Sequence, residues 1–374
     1  MTPHIHFDGV GSQPLTKIFC DLNARCFSLN AGINDEYQCS VAYGFECFND
    51  HIENEGLVEL FSHSKHAESN VKPVKIGSSS KTVGWLCTIG ALTSGDHNYV
   101  ENKHFRRAAF TAVYLLLKNC NYSKELNVRN GDELKISDLF DEELSILVLH
   151  KPSIETNVSD TYTEILPCLH QYGFVPIGSS PTSQVEVDKV ASDKFLNLET
   201  NIKLMPVSKE VEFAEFTDQV FRRLLPSATT PLLRFFLYYQ LIETLLARIF
   251  NDRQSKTIDK LVAVKDNPVE AHPLIEKLKV DASDKTRIKL LFNEYSGIET
   301  KLNDLYEACN RLLVESGGEE KESIGDALYK VRNLIFHGLR GIPEKAMPHI
   351  SEIVEQMSYA VPELMICFRI PDAG

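Results

Sequence analysis

The chain is short of positive charge: 39 Lys and Arg stand against 52 Asp and Glu, a formal net charge of −13. That deficit excludes a protein that holds nucleic acid by a broadly basic face, because bulk attraction to phosphate needs clustered cations. The cysteines are also unsuited to pairing. There are nine, none forms a C-x-x-C pair, and they are scattered from Cys20 to Cys367, which argues against a secreted disulfide framework and for a reducing cytoplasm. The opening Met1-Thr2-Pro3-His4-Ile5-His6 has neither a basic patch nor an apolar run, so no signal peptide is expected. Long hydrophobic runs are missing too. The most apolar stretch, Phe235 to Phe250, is interrupted by Gln240, Glu243 and Arg248 and cannot span a bilayer. No internal repeat stands out.

What is present is the composition of an ordinary globular protein, with 43% hydrophobic and 24% charged residues in 374, a length that suggests two domains. From Ser208 onward 22 Lys and Arg meet 26 Asp and Glu, leaving −4, so most of the acidity is N-terminal. Residues 1–205 read as an α/β domain of uncertain topology. The first hundred are irregular or strand-rich, with strands expected in Tyr37–Phe48 and Val83–Ile89. A helix is expected over Lys103–Asn119, where Phe105, Ala109, Ala112, Val113 and Leu116 recur at helical spacing. Strand Ser145–Leu149, helix Asp160–Tyr172 and strand Phe174–Ile177 form an expected β-α-β unit, and residues 178–207 a polar bridge.

Residues 206–374 turn helical, making the whole an α+β two-domain chain. Helices are expected at Val211–Leu225, Pro231–Phe250, Thr257–Val264 and Glu270–Val280. One long run follows from Asp284 to Val314, with a stripe of Ile288, Leu291, Phe292, Tyr295, Ile298, Leu302, Leu305, Cys309 and Leu312 that is either core or partner-facing. Ser316–Ser323 breaks the pattern before a helix over Ile324–His337, and Pro343–Phe368 closes the domain.

That penultimate helix carries Arg332-Asn333-Leu334-Ile335-Phe336-His337-Gly338. Three hydrogen-bonding groups are set among apolar anchors, with Asn333 and His337 four apart on nearly one face and Arg332 at its edge. Gly338, Gly341 and Pro343 predict a helix end with a glycine cap, which puts His337 beside the unpaired carbonyls of the last turn, a setting suited to proton transfer. The bland alternative is a helix-end histidine capping carbonyls, with Arg332 on a surface carboxylate.

Arg332-Asn333-x-x-x-His337-Gly338, flanked by helices, resembles the R-x4-6-H motif of the HEPN superfamily, compact all-helical domains of which many are metal-independent ribonucleases. About 100 residues upstream, Arg234-Phe-Phe-Leu-Tyr-Tyr-Gln-Leu-Ile-Glu243 is similar to the early helix of Apea-like HEPN domains. The resemblance covers roughly residues 206–374 and implies an all-α HEPN-like bundle. It further implies RNA cleavage by the substrate's own 2′-hydroxyl, with His337 in proton transfer and Arg332 stabilising the phosphorane. The products would be a 2′,3′-cyclic phosphate and a 5′-hydroxyl, with no metal or cofactor. Asn333 would hold the imidazole or a phosphate oxygen, or else a local backbone group.

Some HEPN branches carry a tyrosine two residues after the histidine; here that position is Leu339, so no role for that hydroxyl is carried over. Arg340, Arg234 and Glu243 are candidate substrate contacts, with Arg340 alternatively a solvated charge and Glu243 alternatively paired to Arg332 or a neighbour. Two proton-handling groups suit this chemistry, so a homodimer with both motif helices lining one cleft is expected. The family implies an effector of anti-phage defence or a toxin system, triggered through the N-terminal half. A non-catalytic HEPN interaction or nucleotide-binding module is the alternative.

Weaker motifs lie upstream. His4-Ile-His6-Phe-Asp8-Gly9 and His66-Ala-Glu68 faintly resemble metal-dependent deaminases, and Cys20, Cys26, Cys39 and Cys47 with His51, or His63 with His66, lack the compact spacing of a zinc site; buried thiols and surface histidines are expected instead. Gly77-Ser-Ser-Ser-Lys81-Thr82 ends like a phosphate loop without its second glycine. The β-α-β unit ending Tyr172-Gly-Phe-Val resembles the close of an acyltransferase domain but lacks the pyrophosphate turn. His104-Phe-Arg106-Arg107 reads as a solvated helix start.

Overall fold

The computed structural model describes residues 3–48, 56–63, 71–119, 128–154, 157–178, 201–211 and 214–371. Its contacts divide the chain into two units: Met1–Ile165 with Tyr172–Met205 and Phe221–Pro226, and Leu166–Gln171 with Pro206–Val220 and Ser227–Gly374. The fold is α+β, with the sheets in the first unit and a helical second unit.

The first unit holds two sheets. One is a meander of β1 (His4–Phe7), β2 (Gly11–Asp21), β3 (Cys26–Ala31) and β4 (Tyr37–Ala42), closed by β8 (Glu133–Lys135) parallel to β4. The other runs in the order β10-β5-β9-β7-β6-β11, from β5 (Gly56–Ser62), β6 (Lys72–Ile76), β7 (Gly84–Thr88), β9 (Ser145–His150), β10 (Val175–Pro176) and β11 (Ile202–Leu204). Period-two alternation is visible in β1, where His4 and His6 are exposed while Ile5 and Phe7 are buried. Helix α1 (Lys103–Asn119) buries the five stripe residues read from the sequence, and its Phe110 stacks on Phe27 of β3 at 5.0 Å between centroids.

The expected β-α-β unit is present in altered form. Helix α3 (Val158–Gln171) does connect β9 to β10, after the short α2 (Ile136–Leu139), but β5 lies between the two strands, antiparallel to both. The bridge read at 178–207 contributes β11, which adds to β6 in parallel; most of the rest of that bridge lies outside the described residues.

Helix α4 (Ala214–Gln219) lies in the second unit and continues along the chain as a π-helical turn over Val220–Leu224, of which Phe221–Leu224 are assigned to the first. Helix α5 then runs unbroken from Pro231 to Ala263, opened by Thr230, whose hydroxyl accepts from the Leu233 amide. Two helices were expected there. Polar Asn251–Lys256 stays helical because its side chains find partners: Lys256 pairs with Asp252, and Arg253 with Asp281 at 2.9 Å and Glu294 at 3.2 Å. Helix α6 (Pro268–Asp281) follows.

The long run expected from Asp284 to Val314 is instead divided. Helix α7 (Asp284–Leu290) and a π-helical turn over Leu291–Tyr295 stop at Ser296, whose hydroxyl bonds back to the Leu291 carbonyl, and at Gly297, which takes φ +63°. Helix α8 (Asn303–Glu315) resumes afterwards. All nine stripe residues are buried, so the stripe is core. Helices α9 (Ile324–Gly338) and α10 (Pro348–Cys367) complete the unit. Among the described residues no helix is long and apolar enough to cross a membrane.

Candidate functional site

Helix α9 is set in place from its N-terminus. The Ser323 hydroxyl accepts from the Asp326 amide, and the Asp326 carboxylate in turn meets Lys285 at 3.2 Å and Lys289 at 2.6 Å on α7. Gly325 permits this close approach, since a Cβ there would stand 3.2 to 3.4 Å from Cγ and backbone atoms of Lys289. Ala327, Leu328, Val331 and Ile335 form the buried face, and Arg332 follows directly on Val331 at its margin.

Arg332 is held on several sides. One terminal nitrogen donates to Asn333 Oδ1 at 3.0 Å, and the other lies 3.4 Å from Glu243 Oε1 on α5. Glu243 Oε2 accepts from the Gln240 amide at 2.7 Å, which orients the carboxylate. The guanidinium carbon sits 4.7 Å from the Phe336 ring centre and 5.7 Å from that of Tyr239, within cation–π range. Phe236 packs against Phe336 at 4.5 Å and completes an aromatic wall. Burial raises the Tyr239 hydroxyl above its ordinary range, against the opposing charge of Arg332.

The Arg332 side chain is 19% exposed and its Nε–H is buried without a partner. Of five guanidinium N–H groups, two are committed and one is sealed. At most two remain to meet an anion. His337 differs in kind: it is exposed, and no described residue accepts from or donates to its ring. Five helical positions turn it about 140° from Arg332, so the two diverge within one chain, whereas Asn333 stands about 40° from His337.

The structure thus gathers Arg332, Asn333 and Glu243 and leaves His337 outside that contact set. Arg340 is exposed in the 3-10 turn Leu339–Gly341, unpaired among the described residues. Arg234 stands apart from Glu243, because nine helical positions separate them by about 180°; its charge is felt by buried His170, not by the Arg332 cluster. The expected glycine cap is also corrected. Gly338 has φ −125°, and α9 ends through the 3-10 turn, in which the Ile342 amide bonds the Leu339 carbonyl.

The residues missed in the sequence are those that clamp the arginine. Tyr239 lies four before Glu243 and Phe336 four after Arg332, the spacing of stacked neighbours on a helix, so helical geometry could have found them.

The metal candidates disperse. Among the described residues no group of three or more His, Cys, Asp or Glu is placed to hold a metal ion. His63 hydrogen-bonds the Tyr172 carbonyl at 3.0 Å and packs on Phe174, and burial pushes the Cys39 thiol up to about 12, away from the thiolate a metal needs. His51, His66 and Glu68 lie outside the described residues. Comparison with protein-family models, with curated proteins and with solved structures finds no match to this chain.

Proposed function

We propose that the second unit is a HEPN-like bundle that cleaves RNA without a metal ion. The observation that carries the reading is a guanidinium clamped between Glu243 and Asn333 over Phe336 and Tyr239, on the same helix as an exposed imidazole. A clamped arginine costs little reorganisation when charge develops on a phosphorane, and an exposed histidine is free to exchange protons. In this reading the 2′-hydroxyl of RNA attacks the adjacent phosphorus, His337 moves a proton at the 2′ or the 5′ oxygen, and the 5′-oxygen leaves. The products are a 2′,3′-cyclic phosphate and a 5′-hydroxyl.

Arg332 and His337 diverge on their helix, so we assign the complete site to a homodimer in which the histidine of one copy works beside the arginine of its partner. The biological setting is an anti-phage or toxin effector of the cytoplasm, triggered through the first unit. A second reading has its own support: the same Arg332–Glu243 pair is what a purely structural ion pair in a non-catalytic binding module would look like.

The test is RNA cleavage by the purified full-length chain in EDTA, with end-group analysis, for wild type, His337→Ala and Arg332→Ala. Loss of about 10²-fold or more in either variant, with unchanged circular dichroism, is expected. Equal cleavage by wild type and His337→Ala, or 3′-hydroxyl ends, would overturn the proposal. Wild-type protein inert toward all RNAs and harmless when overproduced favours the binding module.

A further inference from the structure

The first unit contains a cavity of about 710 Å³ between β6, β7, the end of β9 and the start of α1, within the roughly 300–1,000 Å³ range of small-molecule sites. Its wall joins fragments that the sequence keeps far apart: Lys81 from the glycine-serine loop, His104 and Arg107 from the opening of α1, and His150 at the end of β9. Among the described residues no aspartate or glutamate lines it. In a chain of net charge −13, a lysine, an arginine and two histidines converging on one concavity favour an anion there. Lys81 makes no ion pair with any described residue, nor does the His104 ring find a partner. Helix α1 also brings its N-terminal end to the cavity, and an anion is favoured there.

The wall is aromatic as well. Trp85, 6% exposed, lines it and is held edge-on by Tyr99 at 5.0 Å and Phe105 at 5.3 Å. Its indole N–H has no acceptor among the described residues and is not among their sealed polar atoms. An indole donor left open on a concave wall is available to an acceptor from outside. Gly84 forms part of the floor, where β7 runs close against β9: a Cβ there would fall 2.1 Å from the Val148 carbonyl oxygen.

We propose that this cavity binds a nucleotide, its phosphates on Lys81 and Arg107 and its base against Trp85 and Tyr99. The proposal holds whether or not the second unit cuts RNA, because its readout is binding. Trp85 is the only tryptophan in the chain, so indole fluorescence reports this cavity alone. The full-length protein is titrated with ADP, GDP, CDP and UDP, with adenosine and inorganic pyrophosphate as half-ligands, exciting at the red edge of the indole band.

A saturable change is expected with at least one nucleoside diphosphate, tighter than with either half-ligand. Lys81→Ala and Arg107→Ala should each weaken it roughly tenfold or more, the loss expected for a charge-assisted hydrogen bond. Lys81 is exposed, so its variant tests binding without endangering the fold. No saturable response to any diphosphate, pyrophosphate or adenosine binding as tightly as the best nucleotide, or unchanged affinity in both variants would overturn the proposal.

Discussion

In the first unit Lys81, His104, Arg107 and His150 share a cavity wall that contains no carboxylate among the described residues, whereas in the second Arg332 is tied to Glu243 and Asn333. The contrast is in where the counter-charge comes from. A cation withdrawn from water needs a partner. Where the protein supplies it, the geometry is settled before any ligand arrives and the arginine is aimed; the side chains of Lys81 and His104, by contrast, are exposed and meet no described partner, which leaves them open to an external anion. The two proposals thus give the same residue types two purposes, positioning in one unit and capture in the other.

Three measurements sharpen or break this contrast, beginning with the largest effect. His170, wholly buried beside the Tyr238 hydroxyl at 2.6 Å, is a base kept neutral: burial, aided by the charge of Arg234, lowers it from 6.5 to about 3. Between those values the unfolded chain takes up a proton that the folded one refuses. Stability is therefore unaffected above pH 6.5 and falls as the pH drops toward 3. Urea unfolding at pH 7 and pH 4 should show an acid loss that shrinks in His170→Gln by on the order of 3 kcal/mol. An unchanged acid limb would mean that the second unit tolerates a buried imidazolium, which would undo the contrast.

The second measurement is Gly84→Ala, which drives a methyl against the Val148 carbonyl across the central strands β7 and β9. It should cost up to about 3 kcal/mol, read as a lower urea midpoint by the fluorescence of adjacent Trp85. An unaltered midpoint would show that the cavity floor yields and is not built to shape.

The smallest effect belongs to Glu243→Gln. Arg332 and Glu243 are both partly exposed, at 19% and 36%, so solvent screening holds the expected loss of stability to about 1 kcal/mol. A loss several times larger would identify a structural pair and favour the non-catalytic module.

Much of this arrangement was legible beforehand, for reasons particular residues make clear. The stripe from Ile288 to Leu312 proved to be core throughout, because a 3.6-residue period reports burial wherever the chain is helical. The same stripe was silent about its own interruption. Ser296 and Gly297 break the helix within a unit whose tail docks there, the Arg369 amide bonding the Tyr295 carbonyl. The opposite error occurred in α5, where polar Asn251–Lys256 resembles a break but is held helical by Asp281 and Glu294, residues about 30 to 40 positions away.

Local pattern alone, then, marked most of the helical segments and several of the strands, their apolar faces, and that Arg332, Asn333 and His337 share one helix. Those properties follow from backbone periodicity and transfer free energy, both written within a few residues. Tertiary structure decided what those groups meet: that β5 separates β9 from β10, that Glu243 rather than Arg234 reaches Arg332, and that Lys81, Arg107 and His150 surround one cavity. Contacts between distant segments depend on how whole elements pack, and no spacing along the chain encodes that.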